Sequence, residues 1–336
     1  MSKVTNIRTF MTGLALGAGL VSTAMAQDKA LIDAAKKEGA VTWYTTQIIN
    51  QFARPAAEAF EKKYGVKVDY VRADSNQVAL RIVTESKAGR PIVDVFDGTT
   101  VTPILKKEGL VERWIPESAK RFGPEYYDKE GYWIATNLYV LTPGYNTSMV
   151  TKAQAPKTWN DLLDPKWKGK ILLDDPRALG SGHTFFTATQ RLLGTEYHRK
   201  FVANQPVLTR DVGASERRIG LGEFPIWIPA ATNGMRGLQG LPIRYIALRE
   251  GVPHSVMDQS MLTNAPHPNA ARLFINHFVG VEFQTEVAAI GFLPVLRGME
   301  QRMPPQLQPF ARVTLLPSLQ VETQQQMLNL ASEIYK

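Results

Sequence analysis

The sequence predicts an α/β protein of two lobes, each a mostly parallel sheet flanked by helices, joined by two hinge crossings. Three observations predict it. Strand, polar loop and helix recur in two separate series along the chain, and strands alternating with helices at that pitch call for parallel sheets covered on both faces. Two extended stretches, the apolar 133–145 and then 255–263, lie between the series and after the second, where a chain passing between lobes would cross and return. Finally, 336 residues are more than one hydrophobic core serves comfortably.

The first 26 residues read as an export signal. Lys3 and Arg8 precede a small, apolar run over 10–21 that leads into Ala24-Met25-Ala26, so cleavage is expected before Gln27. That run is too short and too rich in Gly and Ala to span a bilayer comfortably. A helix over 29–38 follows. The first series then runs as strand 41–44, loop Thr45-Thr46-Gln47 and helix 48–63 closed by Gly65. It continues as strand 66–71, loop 72–76 and helix 77–87 closed by Gly89, then strand 92–96, loop Asp97-Gly98-Thr99-Thr100 and a helix through Lys107. The second series has strand 170–174, a Gly-rich loop over 175–182 and helix 183–193. Strand 206–209, a helix over 215–220 and the apolar strand 224–229 complete it. Segments 268–290 and 318–335 are helical by period and are expected to pack on the first lobe.

Composition narrows the function. The chain has no cysteine, which rules out disulfides, thiolate metal sites and cysteine nucleophiles. Of the formal charge of +8, Lys3 and Arg8 contribute two, leaving +6 after cleavage. This excess is scattered as Lys62-Lys63, Lys106-Lys107 and Arg217-Arg218, with no helix-turn-helix, zinc or RNA-recognition pattern beside it, so nucleic acid is not an expected partner. The phosphate-binding G-x-x-x-x-G-K-[ST] motif, the G-x-S-x-G elbow and the H-E-x-x-H pair are all missing. The five histidines, at 183, 198, 254, 267 and 277, are not spaced as metal ligands. Catalysis, a resident metal and a cofactor are therefore not expected.

Several phrases carry a family resemblance. They are Ala155-Pro156-Lys157-Thr158-Trp159-Asn160-Asp161-Leu162-Leu163-Asp164-Pro165-Lys166-Trp167-Lys168-Gly169-Lys170, then Asp175-Pro176-Arg177 with Gly180-Ser181-Gly182. Gly222-Glu223 before an apolar strand and Ala265-Pro266-His267-Pro268-Asn269-Ala270-Ala271 complete the set. In these the chain resembles the periplasmic solute-binding proteins of ABC importers, in the group that includes ferric-iron, thiamine and phosphorylated-compound binders. The resemblance spans nearly the whole mature chain. It implies the two-lobed type II periplasmic-binding fold, a periplasmic location, a monomer, and a membrane permease with its ATPase as partners. The expected lobes are 27–136 with 259–336, and 137–258. Each phrase also has an architectural account: Thr158 can cap a short helix, and His267-Pro268-Asn269 looks like a helix start rather than a ligand set.

In such a fold the loops after parallel strands supply the ligand groups. The candidates from the first lobe are Thr45, Thr46, Ser75, Thr99 and Thr100, whose hydroxyls recur in three successive turns at helix starts and suit an anion. The competing account is that each hydroxyl caps its own helix. From the second lobe come Arg177, Ser181, Gly182 and His183, followed by Thr232 and Asn233, with Asp258 on the return crossing as a further candidate. Arg177 can present a planar fork to a phosphate or carboxylate and His183 can donate one hydrogen bond, although Asp174 and Asp175 stand ready to pair with Arg177. Ferric-iron members of the resembled group are expected to show two adjacent tyrosines after the strand that ends here at Pro229, where this chain has Ala230-Ala231. The expected solute is a small organic anion such as a phosphate ester, phosphonate or carboxylate. Ferric iron, an enzyme on the same fold, and a sensory subunit remain the alternatives.

Overall fold

The computed structural model describes residues 29–98, 101–236, 240–317 and 323–336, so the expected export signal lies outside the described residues. Residues 29–38 form α1. The first series follows as β1 (Ala40–Thr45), α2 (Arg54–Tyr64), β2 (Lys67–Arg72), α3 (Ser75–Lys87), β3 (Val95–Asp97) and α4 (Val101–Lys107). A five-residue π-helix, Ile49–Ala53, precedes α2, and Pro55 then starts the regular helix. β4 (Ile134–Asn146) opens the second series of β5 (Ile171–Asp174), α5 (Ser181–Val202), β6 (Val207–Thr209), α6 (Val212–Gly220), β7 (Ile226–Ala231) and β8 (Ile243–Tyr245). β9 (Val252–Met261) returns, followed by α7 (Pro268–Phe278), α8 (Val281–Ala289), β10 (Leu315–Pro317) and α9 (Gln324–Ile334). No described helix is long and apolar enough to cross a membrane.

The main strand order is β2-β1-β3-β9-β4-β7-β5-β6. β1 pairs in parallel with β2 and β3, and β5 pairs in parallel with β6 and β7. Between these sets β4 and β9 run antiparallel as a ribbon that belongs to both lobes. The first half of β4 pairs with β9, whereas its second half pairs with β7 and β8. These are the two crossings expected from the apolar stretches, and near-continuous burial along β4 explains why that segment reads as apolar throughout. In the first lobe, Trp43 of β1 meets Phe274 and Phe278 of α7 edge-on at ring-centroid distances of 5.3 and 5.5 Å.

Three departures from the sequence reading have local causes. The helix expected to end at Leu193 continues to Val202, but Gly194 breaks it with a φ of 79°, so the expected end marks a real kink. Segment 268–290 is two helices, separated at Val279 and Gly280. The terminal helix does not pack on the first lobe. α9 lies along α5, with the Tyr335 hydroxyl 2.7 Å from His198 Nδ1 and its ring against Phe186. Its buried face, Ala331 and Ile334, gives a helix period without naming a partner.

Candidate functional site

Strand directions define the cleft. β1, β3 and β4 run one way and β9, β7, β5 and β6 the other, so the carboxyl ends of the two parallel sets point toward each other. Asp97, the last residue of β3, is level with Gln259, which is level with Ile134; Ala231, the last residue of β7, is level with Leu141. The opposing ends are therefore set apart along β4 by the stretch from Ile134 to Leu141, roughly 20 Å at about 3.3 Å per residue.

Each lobe closes its strand end in the same way. In the first, Asp97 accepts the indole N–H of Trp43 at 2.8 Å on Oδ2, and both the amide and hydroxyl of Thr46 at 2.7 Å on Oδ1. In the second, Asp174 accepts the indole N–H of Trp227 at 2.9 Å on Oδ1, and the Ser181 hydroxyl on Oδ2. The registers match too. Trp43 is level with Val95 and Trp227 with Leu172, in each case two residues before the aspartate. Burial pushes the Asp97 carboxyl up to about 6 and also raises Asp174, against the lowering effect of these donors.

The first-lobe candidates converge. Gly98 has a φ of 129°, and a Cβ built there would lie 3.0 Å from Thr46 Cγ2 and 3.3 Å from Ser75 Oγ, so Thr46, Ser75 and Gly98 share one tight corner. Thr45 is fully buried and its hydroxyl accepts the Gln47 amide at 3.0 Å. Gln47 reaches the crossing strand, its Nε2 donating to Asn137 Oδ1 at 2.9 Å and its Oε1 accepting the Tyr139 hydroxyl at 3.0 Å. Thr99 and Thr100 lie outside the described residues. None of the described hydroxyls in this group is a helix cap: the N-cap residues are Ala53 for α2 and Asp74 for α3.

In the second lobe, Gly182 is required by contact, because a Cβ there would come within 2.2 Å of the Asp174 carbonyl oxygen. Ser181, Gly182 and His183 form the first turn of α5, whose amides have no acceptor within the helix. Arg177 places Nε and Nη2 on the Asp175 carboxylate at 2.8 and 3.0 Å, and Arg210 adds a third donor at 2.8 Å. Burial opposes the Asp175 charge, yet these guanidinium contacts hold its carboxyl down at about 2. His183 corrects the sequence reading. Its Nδ1 lies 3.2 Å from the Pro176 carbonyl oxygen and burial keeps the ring below its ordinary pKa, so Nδ1 carries the proton and Nε2 is an acceptor, not a donor. His267, by contrast, is taken up by Asp94 through its amide and Nδ1.

Among the described residues, eleven buried side-chain polar atoms have no hydrogen-bond partner. They include His183 Nε2, Thr232 Oγ1 and Asn233 Oδ1 from the second lobe and Asn137 Nδ2, Asp258 Oδ1 and Gln259 Oε1 from the ribbon. Native interiors leave few such atoms unfilled. A separate cavity of about 590 Å³ is lined by Leu138, His254 and Val256 together with Leu293, Met299 and Phe310. Leu138 alternates with Asn137 and Tyr139 along β4, which places that cavity on the opposite face of the ribbon. None of the candidate ligand-binding residues named from the sequence lines it.

Comparison with known proteins agrees with this architecture. Residues 91–315, more than half of the chain, match the family model described as bacterial extracellular solute-binding protein. A Salmonella typhimurium protein provisionally named a 2-aminoethylphosphonate-binding periplasmic protein is 25% identical over 293 residues, covering 77% of this chain and 75% of that one. Iron-bound HitA from Pseudomonas aeruginosa superposes with a TM-score of 0.70 at 22% identity, over 88% of this chain and 99% of that chain. AfuA from Actinobacillus pleuropneumoniae, solved with fructose-6-phosphate, superposes with a TM-score of 0.63 at 22% identity, over 88% and 99% of the two chains.

Proposed function

Because this chain belongs to the bacterial extracellular solute-binding protein family, we propose that it is the periplasmic receptor of an ABC importer, taking a small acidic solute between its lobes. The observation that carries this reading is the meeting of two sets of strand ends across the β4–β9 ribbon, with unfilled buried polar atoms on Thr232 and Asn233 just after β7 and on Asn137 and Gln259 of the ribbon. The first turn of α5 offers amide donors and a positive helix end to a phosphonate, phosphate ester or carboxylate. Thr46 and Ser75 stand at the facing corner. Thr232 and Asn233 complete the second-lobe side. Arg177, with Nε and Nη2 on Asp175, has Nη1 left for the acid group.

The proposed lobes are 27–136 with 259–336 and 137–258, except that the terminal helix rides on α5. Ligand bridging both sides favours the closed form, which a permease and its ATPase receive; the chain acts as a monomer and catalyses nothing itself. The relative named for 2-aminoethylphosphonate and the neighbour solved with a sugar phosphate support an acidic solute, and the Ala230-Ala231 pair speaks against ferric iron. Ligand-stripped protein, melted in the presence of phosphate esters, phosphonates, carboxylates and Fe(III), tests this. A ligand at a hundredfold excess over its Kd adds about 2.7 kcal/mol of stability. A shift with an acidic solute is expected. A shift with Fe(III) alone, or turnover of any tested solute, would overturn the proposal.

A further inference from the structure

We propose that the cavity beside Leu138, Val256 and His254 is a second binding site, built for a compact, uncharged aromatic molecule with one hydrogen-bond donor, such as a naphthol or an indole. This site stands whether or not the cleft takes an acidic solute.

One stretch of chain roofs the cavity. Leu293 exchanges both backbone hydrogen bonds with Leu138 of β4, at 2.9 and 3.2 Å, and Leu315–Pro317 pair with Val252–His254 of β9. β4 and β9 are neighbours, so residues 294–314 pass over the ribbon from one outer edge to the other. They cover the face that carries Leu138, Val256 and His254, for Leu138 is level with Val256 and His254 lies two residues along the same strand. Beneath the roof about 590 Å³ is left, within the range of sites for small organic molecules. Close-packed interiors leave few spaces larger than a water molecule, so a space of this size is not a packing remainder.

The lining defines the guest. Met299, Met303 and Phe310, all buried, stand around the space with Leu138, Leu293 and Val256, and thioether, ring and branched side chains of this kind pack well against an aromatic face. His254, 8% exposed, supplies the polar mark. Its Nδ1 lies 2.8 Å from the Leu316 carbonyl oxygen and so donates to it, and burial keeps the ring below its ordinary pKa, which leaves Nε2 as an acceptor. No described residue bonds that nitrogen. The charged side chains of the lining are Glu125, Arg297 and Glu300, two carboxylates against one guanidinium, so the cavity offers an anion no net attraction. One O–H or N–H on an otherwise apolar ring system answers these walls.

Fluorescence titration of the full chain with 2-naphthol, 2-methoxynaphthalene and 2-naphthoate tests this. The naphthol should bind at one site about 5–10-fold tighter than the ether, which lacks the donor, and the naphthoate anion should bind more weakly than the naphthol. His254→Leu should bring the naphthol down to the affinity of the ether. Val256→Phe places a ring in the cavity and should abolish naphthol binding, the unliganded melt showing that each variant is folded. If a variant fails to fold, the three probes on the wild type still decide. Equal affinity for naphthol and ether, tighter binding of the naphthoate, or naphthol binding that survives Val256→Phe would overturn the site, and so would binding by none of the three.

Discussion

Gln47 Nε2 donates to Asn137 Oδ1 at 2.9 Å, tying the loop after β1 to a strand 90 residues further along the chain. The same amide accepts the Tyr139 hydroxyl, so a ligand-side loop of the first lobe is anchored on the ribbon that leads to the second. Gln47→Ala leaves the half-buried Tyr139 hydroxyl without its acceptor, and the cost expected for a group left unsatisfied in this way is about 1–3 kcal/mol. Urea denaturation measures it. A loss below about 0.5 kcal/mol would mean that the anchor contributes little.

The repeated Trp–Asp closure makes a paired prediction. Trp43→Phe and Trp227→Phe each remove an indole N–H from a buried carboxylate while keeping most of the ring. Each should destabilise by about 2–4 kcal/mol, from lost packing and a hydrogen bond to a charged group together. Equivalent losses in the two variants would follow from equivalent geometry. A large loss in one and none in the other would show that the likeness of the two strand ends is only formal.

Neither closure is visible as a repeat in the sequence, although its pieces are there: a tryptophan inside Val41-Thr42-Trp43 and Pro225-Ile226-Trp227, and an aspartate ending Val95-Phe96-Asp97 and Leu172-Leu173-Asp174. The α/β alternation was legible because strands and helices have different periods, and the crossings were legible because β4 is buried along nearly its whole length. The lining of the cleft was less so. Hydroxyls at loop starts point to ligand or cap, and only the fold reveals the third use, hydrogen bonding to Asp97 and Asp174. Asn137 and Gln259, each buried with an unpartnered polar atom, were not singled out, because a polar residue within a strand gives no local sign of its surroundings. The partner of α9 was equally hidden, since an amphipathic period does not say which surface covers it.

Arg177→Ala separates ligand contact from architecture. Asp175 keeps Arg210 in the variant, and the Arg177 pair is partly exposed, so the unliganded melt should fall by no more than about 1 kcal/mol in stability. Affinity for the acidic solute should drop about tenfold, or about 1.4 kcal/mol. Unchanged affinity with a larger fall in stability would assign Arg177 to the ion pair alone.

Asp258 gives a pH signature. Burial, with the Asp97 charge adding to it, pushes its carboxyl up to about 7, whereas an unfolded aspartate titrates near 4. Between those values the folded state holds a proton that the unfolded state has lost, so this group's contribution to stability falls as pH rises. Asp258→Asn lacks the effect, while the buried histidines are common to both proteins. The stability of the variant relative to wild type should therefore climb from pH 5 to pH 8, and a flat difference would contradict the burial of this carboxyl.

Docking of the C-terminal helix is tested through acid. Burial pushes His198 down to about 3, and its Nδ1 contacts Tyr335. Because the unfolded ring takes its proton near pH 6.5, the stability this burial confers is present above that pH and is lost as pH falls toward 3. Truncation before Gln324 opens the ring to water, so the truncated chain should be less stable at pH 7 and lose less on acidification. Identical acid profiles would place the helix elsewhere.

Small-angle scattering tests the central claim most directly, that a solute is held between two lobes that close on it. Stripped protein should contract when saturated with the solute that shifts its melt, with a smaller radius of gyration and a shorter maximum dimension. Superimposable profiles at saturation would contradict capture by closure.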